Sequence, residues 1–216
     1  MNKVIISIEG LAGAGKTTLV NHLKKQNFEL LPEIMDFVPE TGVIKRFTLD
    51  ASSSSSTNEW FLNIEIERLN KALHSNVSIV MDRCFISQIA YNYAKDATYK
   101  TKTLCNLKKL MEPNRLIVPN IIYLQMETQL SIDRMLARNK NNQKYYIQNG
   151  EPDYQYNFIE NNRLFYEKII PLFQDNILVI DAKETADKKA GRINDWIKNR
   201  ETHVADFNIN SLFFQL

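Results

Sequence analysis

The chain reads as an α/β domain: a parallel β-sheet with helices on both faces. Two observations predict this, and a third gives it scale. Short apolar, β-branched runs alternate with stretches of helical periodicity, the pattern of strands buried on both faces. Three of the six glycines, Gly10, Gly13 and Gly15, fall within six residues, between the first apolar run and the first helical one. The 216 residues suit one domain with a sizeable core.

Residues 3–8 (Lys-Val-Ile-Ile-Ser-Ile) form the first expected strand, and residues 17–25 carry helical spacing at Leu19, Val20 and Leu23. Residues 28–31 are a weaker strand candidate, and residues 77–81, 121–124 and 177–180 are strong ones. Helices are expected over about 58–75, 85–95, 100–112, 127–140, 155–174 and 184–199. The serine-rich run 51–57 reads as a loop inside the domain, with Thr57 or Asn58 as cap for the helix after it. Residues 1–200 make one domain, with a lid at about 134–152, and residues 201–216 form an apolar tail that packs back or meets a partner subunit.

Composition narrows the function classes. The formal net charge of +2 argues against a dedicated nucleic-acid binder. The two cysteines, Cys84 and Cys105, have no CxxC partner, so neither a disulfide frame nor a zinc site is indicated. No apolar stretch reaches membrane-spanning length and the N-terminus enters a strand directly, so the expectation is a soluble, cytoplasmic protein with no membrane partner.

The glycine run carries the chemistry. Gly10-Leu-Ala-Gly-Ala-Gly-Lys-Thr17 fits G-x-x-x-x-G-K-[ST], the P-loop, in its required strand–loop–helix setting. Glycine lets the backbone turn and approach a polyphosphate closely, and successive N–H groups and the helix dipole face the anion. Gly10, Gly13, Ala14, Gly15, Lys16, Thr17 and Thr18 therefore form the expected cradle for ATP. Lys16 would reach the β- and γ-phosphates, and the Thr17 hydroxyl would ligate Mg²⁺. A second cluster lies at the carboxyl end of the strand 77–81, where an open α/β sheet binds its ligands. Asp82 there can support the metal and Arg83 can offer a fork to a phosphate, or the two can simply cap the next helix.

Ile8-Glu-Gly-Leu-Ala-Gly-Ala-Gly-Lys-Thr-Thr18 resembles the P-loop of thymidylate kinases and their relatives, the deoxynucleoside kinases. Asp82-Arg-Cys-Phe-Ile-Ser-Gln-Ile-Ala-Tyr91 resembles the Asp-Arg, Ser and Ala-Tyr pattern of thymidylate kinases, and residues 56–68 resemble the preceding helix of that family. The resemblance implies a five-stranded parallel sheet of order 2-3-1-4-5 and phosphoryl transfer from ATP to a nucleotide or nucleoside. By position it implies that Arg83 binds the acceptor's phosphate or 5′ oxygen and that Arg68 faces the acceptor base. Phe61 would stack on that base or pack in the core. With the apolar tail, the resemblance also points to a homodimer.

Arg134 and Arg138 lie four apart, so on a helix they share a face. They resemble lid arginines that close over the γ-phosphate, or they line a solvated face; with Ala12 and Ala14 inside the loop, no arginine comes from the loop itself. Two features divide the acceptor question. Ala12 stands where thymidylate kinases usually carry an acidic residue, and Glu33 resembles the general base of deoxynucleoside kinases, pulling toward a neutral sugar hydroxyl. Asp82, Ser87, Ala90 and Tyr91 pull toward a monophosphate acceptor, with Lys45 and Arg46 as candidate phosphate contacts. The leading expectation is a nucleoside monophosphate kinase acting on dTMP first. A deoxynucleoside kinase using Glu33, a regulatory NTPase acting on a protein partner and a kinase of another small metabolite are the alternatives.

Overall fold

The computed structural model describes residues 3–34, 55–95, 118–141, 152–173 and 176–198. Five strands, β1 (Ile5–Gly10), β2 (Glu29–Leu31), β3 (Ile79–Asp82), β4 (Asn120–Gln125) and β5 (Ile177–Asp181), form one parallel sheet of order β2-β3-β1-β4-β5. This is the expected order. β1 and β3 are the apolar runs shifted by one or two residues toward their carboxyl ends, so β1 includes Gly10 and β3 includes Asp82, while β4 extends its run by one residue at each end.

Helices α1 (Lys16–Lys24), α2 (Ser55–His74), α3 (Phe85–Lys95), α4 (Thr128–Asn141), α5 (Pro152–Ile169) and α6 (Ala186–Lys198) connect or follow the strands. Alternation along the strands divides the core. Ile5, Ile79, Met81, Ile121 and Tyr123 face Leu69 of α2, Phe85 and Ile89 of α3 and Phe165 and Tyr166 of α5. Ile6, Ile8, Val80, Ile122 and Leu124 face Leu19, Val20 and Leu23 of α1 and Ala190 and Ile193 of α6. A sheet covered on both sides leaves its strand ends as the place for a ligand.

Two boundaries differ from expectation. α2 begins at Ser55, so Thr57 and Asn58 lie inside it rather than capping it; the end of the serine run folds into the first turn, where short polar side chains are tolerated. α5 begins at Pro152, whose fixed φ and missing N–H suit a helix's first position, and its last turn tightens into a 3₁₀ turn at Ile170–Leu172. The expected helix at 100–112, Lys45, Arg46, Cys105, Gly150 and the tail 201–216 lie outside the described residues. So do residues 142–151 of the expected lid; its Arg134 and Arg138 sit on α4 and its Pro152 on α5.

Candidate active site

The glycine loop turns between β1 and α1. Gly10, Gly13 and Gly15 have φ of 138°, 75° and 87°. At Gly10 a side chain is excluded twice over: a Cβ would stand 2.7 Å from the Leu124 carbonyl oxygen, and the backbone lies where L-residues are strained. Gly15, in the left-handed region, caps α1 and accepts the Leu19 N–H at 3.0 Å. The loop is also held from outside. Ser131 Oγ of α4 donates to the Ala12 carbonyl at 2.7 Å, and Arg134 Nη1 donates to the Gly13 carbonyl at 3.1 Å.

Lys16, the first residue of α1, is buried, and its Nζ donates to the carbonyls of Gly10 (2.9 Å) and Leu11 (2.6 Å). Burial first, and the nearby Arg83 cation second, hold its ammonium well below the usual lysine range. Thr17 Oγ1 donates to Asp82 Oδ2 at 2.8 Å, joining the end of the loop to the end of β3. Asp82 is buried, and its Oδ1 has no hydrogen-bond partner among the described residues. A buried carboxylate oxygen without a donor, beside a hydroxyl, suits a hard cation that takes oxygen ligands, so the pair fits Mg²⁺.

A cavity of about 150 Å³ opens beside the loop, lined by Ala14, Gly15, Thr18, Leu19, Arg134 and Lys189 among others. Thr18 and Arg134 thus meet at its wall. Arg138, one turn further along α4, is exposed, while Arg134 bonds the glycine loop at the Gly13 carbonyl. Lys189 of α6 was not foreseen: it is buried, donates to the Ala182 carbonyl at 2.9 Å, and burial lowers its ammonium below the usual range.

The other half of the site gathers around Arg83, which leaves β3 with φ of 65°, a left-handed conformation rare outside glycine. Its Nε lies 3.0 Å from Glu33 Oε1, and its Nη1 donates to Ser87 Oγ at 3.0 Å and to the Gly10 carbonyl at 3.4 Å. Glu33, in the turn after β2, and Arg83 are both partly open to solvent. The two residues read separately from the sequence are therefore one ion pair.

Arg68 stands behind this corner rather than on it. It is 2% exposed, pairs with Glu65 at 2.5 Å, and donates to the carbonyls of Pro32 (2.8 Å), Asp82 (3.2 Å) and Arg83 (3.1 Å). These bonds fix the backbone on either side of the Glu33–Arg83 pair, a staple that an expectation of base contact did not include. Burial raises the Glu65 carboxyl to about 7, with the Arg68 cation opposing that shift. Phe61 is half-buried on the same helix. Sequence reasoning also passed over Glu9, which is fully buried at the end of β1; its signal was a charged residue inside an otherwise apolar strand.

Comparison with known proteins agrees with this geometry. The deoxynucleoside kinase family profile matches residues 6–204. A probable thymidylate kinase of Archaeoglobus fulgidus is 30% identical over 152 residues, covering 63% of this chain and 71% of that protein. A thymidylate kinase of Blochmanniella floridana is 26% identical over 199 residues, covering 85% and 90%. Among solved structures, deoxyadenosine kinase from M. mycoides with bound dATP superposes with a TM-score of 0.68 at 19% identity, over 91% of this chain and all (100%) of that one. The same enzyme with bound dCTP gives 0.67 at 20% identity over the same shares. With a glycine loop, a strand-end Asp-Arg pair and this strand order, the chain belongs to the deoxynucleoside kinase family and is a phosphotransferase of the nucleoside kinase type.

Proposed function

We propose that this enzyme transfers the γ-phosphoryl group of ATP to the 5′-hydroxyl of a deoxynucleoside, with Glu33 as general base. The observation that carries the reading is the 3.0 Å contact between Glu33 and Arg83. A carboxylate seated on the arginine suits a neutral hydroxyl, which must lose a proton. A monophosphate acceptor would meet that carboxylate as a like charge and would have to displace it from Arg83.

In this mechanism the 5′-oxygen attacks the γ-phosphorus as its proton passes to Glu33, and the bond to the β-phosphate oxygen breaks to release ADP. Arg83 orients the 5′-oxygen. Lys16 and the loop amides hold the β- and γ-phosphates, and Arg134, already bonded to the loop at Gly13, adds positive charge where the transition state spreads it. Thr17 and Asp82 would hold Mg²⁺, which would neutralise phosphate charge. Most of the rate comes from positioning and charge neutralisation, with no covalent intermediate. Phe61 and the α2 face are the proposed side of the acceptor base, and a homodimer remains part of the proposal through the family likeness.

A second reading, a monophosphate kinase with dTMP as first acceptor, has its own support in the 30% identity to a probable thymidylate kinase. The test is transfer of label from γ-labelled ATP with Mg²⁺ to the four deoxynucleosides and their monophosphates, in the native chain and in Glu33→Gln. The expected result is a labelled monophosphate from a deoxynucleoside, with turnover falling about 10²–10⁴-fold in the variant while ATP affinity holds. A labelled diphosphate, unaffected by the substitution, overturns the hydroxyl reading in favour of the second. Free phosphate that no acceptor accelerates overturns both and favours a regulatory NTPase.

A further inference from the structure

Glu9 has no part in the steps above, yet it sits fully buried at the centre of the site. A carboxylate withdrawn from water persists only where donors satisfy it. Here four do. Glu9 Oε1 accepts from Ser7 Oγ (2.8 Å) and from the Cys84 backbone N–H (2.7 Å). Oε2 accepts from Tyr166 Oη (2.9 Å) and from Ser87 Oγ.

Two of these donors lead to Arg83. Ser87 Oγ, while donating to Glu9, accepts from Arg83 Nη1 at 3.0 Å. The order of that relay is fixed by chemistry: a guanidinium only donates, a carboxylate only accepts, and a hydroxyl can stand between them. The Cys84 amide is the peptide directly after Arg83, and the Arg83 amide itself donates to the Ile8 carbonyl at 3.3 Å. A residue at φ of 65° keeps that conformation only where its surroundings over-determine it, and here the peptides on both sides are tied to the end of β1. Ser7 and Tyr166 occupy the remaining lone pairs, and Tyr166 Oη also lies 3.1 Å from Ser87 Oγ, so of the two only Ser7 stands apart from the relay.

We propose that Glu9 is a positioning residue for the acceptor side: through Ser87 and the Cys84 amide it sets the direction of the Arg83 fork. The proposal rests on the acceptor role given to Arg83 above. It predicts an asymmetry that a general structural role does not. Loosening Glu9 or Ser87 degrades use of the acceptor and leaves the grip on ATP intact, since Lys16 and the loop are held by other bonds.

The experiment compares Glu9→Gln, Ser87→Ala, Ser7→Ala and Arg83→Ala, using the deoxynucleoside that turns over fastest in the panel above. Ser87→Ala keeps three of the four Glu9 donors and guards against a Glu9 variant that fails to fold. For Glu9→Gln and Ser87→Ala, kcat/KM for the acceptor is expected to fall about 10–100-fold with the ATP Kd within twofold. Ser7→Ala, which removes one Glu9 donor but leaves the relay, should change acceptor kcat/KM by less than threefold. In the double variant the two losses should not add, because both break one relay. Acceptor kinetics unchanged in Ser87→Ala, or an ATP Kd that weakens as much as the acceptor term, overturns the proposal. Arg83→Ala separates the two levels: if it keeps acceptor turnover, the role of Arg83 falls and the relay with it. If it loses turnover while Ser87→Ala does not, the relay alone falls.

Discussion

The loop of residues 10–18 and the corner around Arg83 face each other across the ends of β1 and β3, but they are built by different means. The loop holds its shape largely with backbone: glycines at positive φ, the Gly15 cap of α1, and carbonyls that accept from Lys16, Ser131 and Arg134. The corner is held by side chains from four places in the chain: Glu33 after β2, Arg68 on α2, Ser87 on α3 and Glu9 on β1. In the proposed reaction the loop meets phosphate, which is the same in every donor, so a fixed backbone cradle suffices. In the same proposal the corner meets the acceptor, which varies, and a corner made of side chains can be altered one residue at a time.

Three substitutions probe that contrast, in descending order of expected effect. Lys16→Ala strips the loop of its one ammonium and should lower turnover about 10³-fold with every acceptor alike, measured as label transfer across the panel. A loss confined to one acceptor class would break the separation of the two halves. Gly10→Ala places a Cβ 2.7 Å from the Leu124 carbonyl in a strained backbone region. It should cost about 2–3 kcal/mol of stability, read from the urea midpoint, because a backbone-built loop cannot yield locally.

Glu65→Gln has the smallest effect and acts through pH. The Glu65 carboxyl stands at about 7 when folded, above its ordinary value of 4.5. The folded state therefore binds that proton more tightly than the unfolded chain does. Its contribution is full below about pH 4.5 and is lost as pH rises through about 7. The variant should flatten the fall in stability between about pH 5 and about pH 8, measured by urea denaturation at each pH. An unchanged slope would show that the Arg68 staple does not titrate in that range.

The same contrast explains what could be read from the sequence. The loop was legible because its work is done by adjacent residues whose types are fixed by backbone geometry. Asp82 and Arg83 were legible because a charged pair at the end of an apolar strand has few structural uses, and the strand order followed from the family likeness. Arg68 was recognised as important but not as a staple, since its bonds reach Pro32, 36 positions away, and Asp82, 14 away. Glu9 was overlooked for the same reason: its partner Ser87 is 78 positions distant and Tyr166 is 157. Local pattern reports which face a residue is on; it does not report which distant donors will meet there.

The position of Lys16 has a consequence for affinity. Its ammonium already rests on two carbonyls of its own loop, at 2.9 and 2.6 Å. On the proposed role of Lys16, binding a triphosphate would be an exchange of partners, its affinity the difference between two sets of hydrogen bonds. A nucleotide without the γ-phosphate would offer Lys16 fewer acceptors in exchange for the same two carbonyls. In that role, its internal partners set the threshold that a nucleotide has to exceed, and they would take the ammonium back once the product leaves.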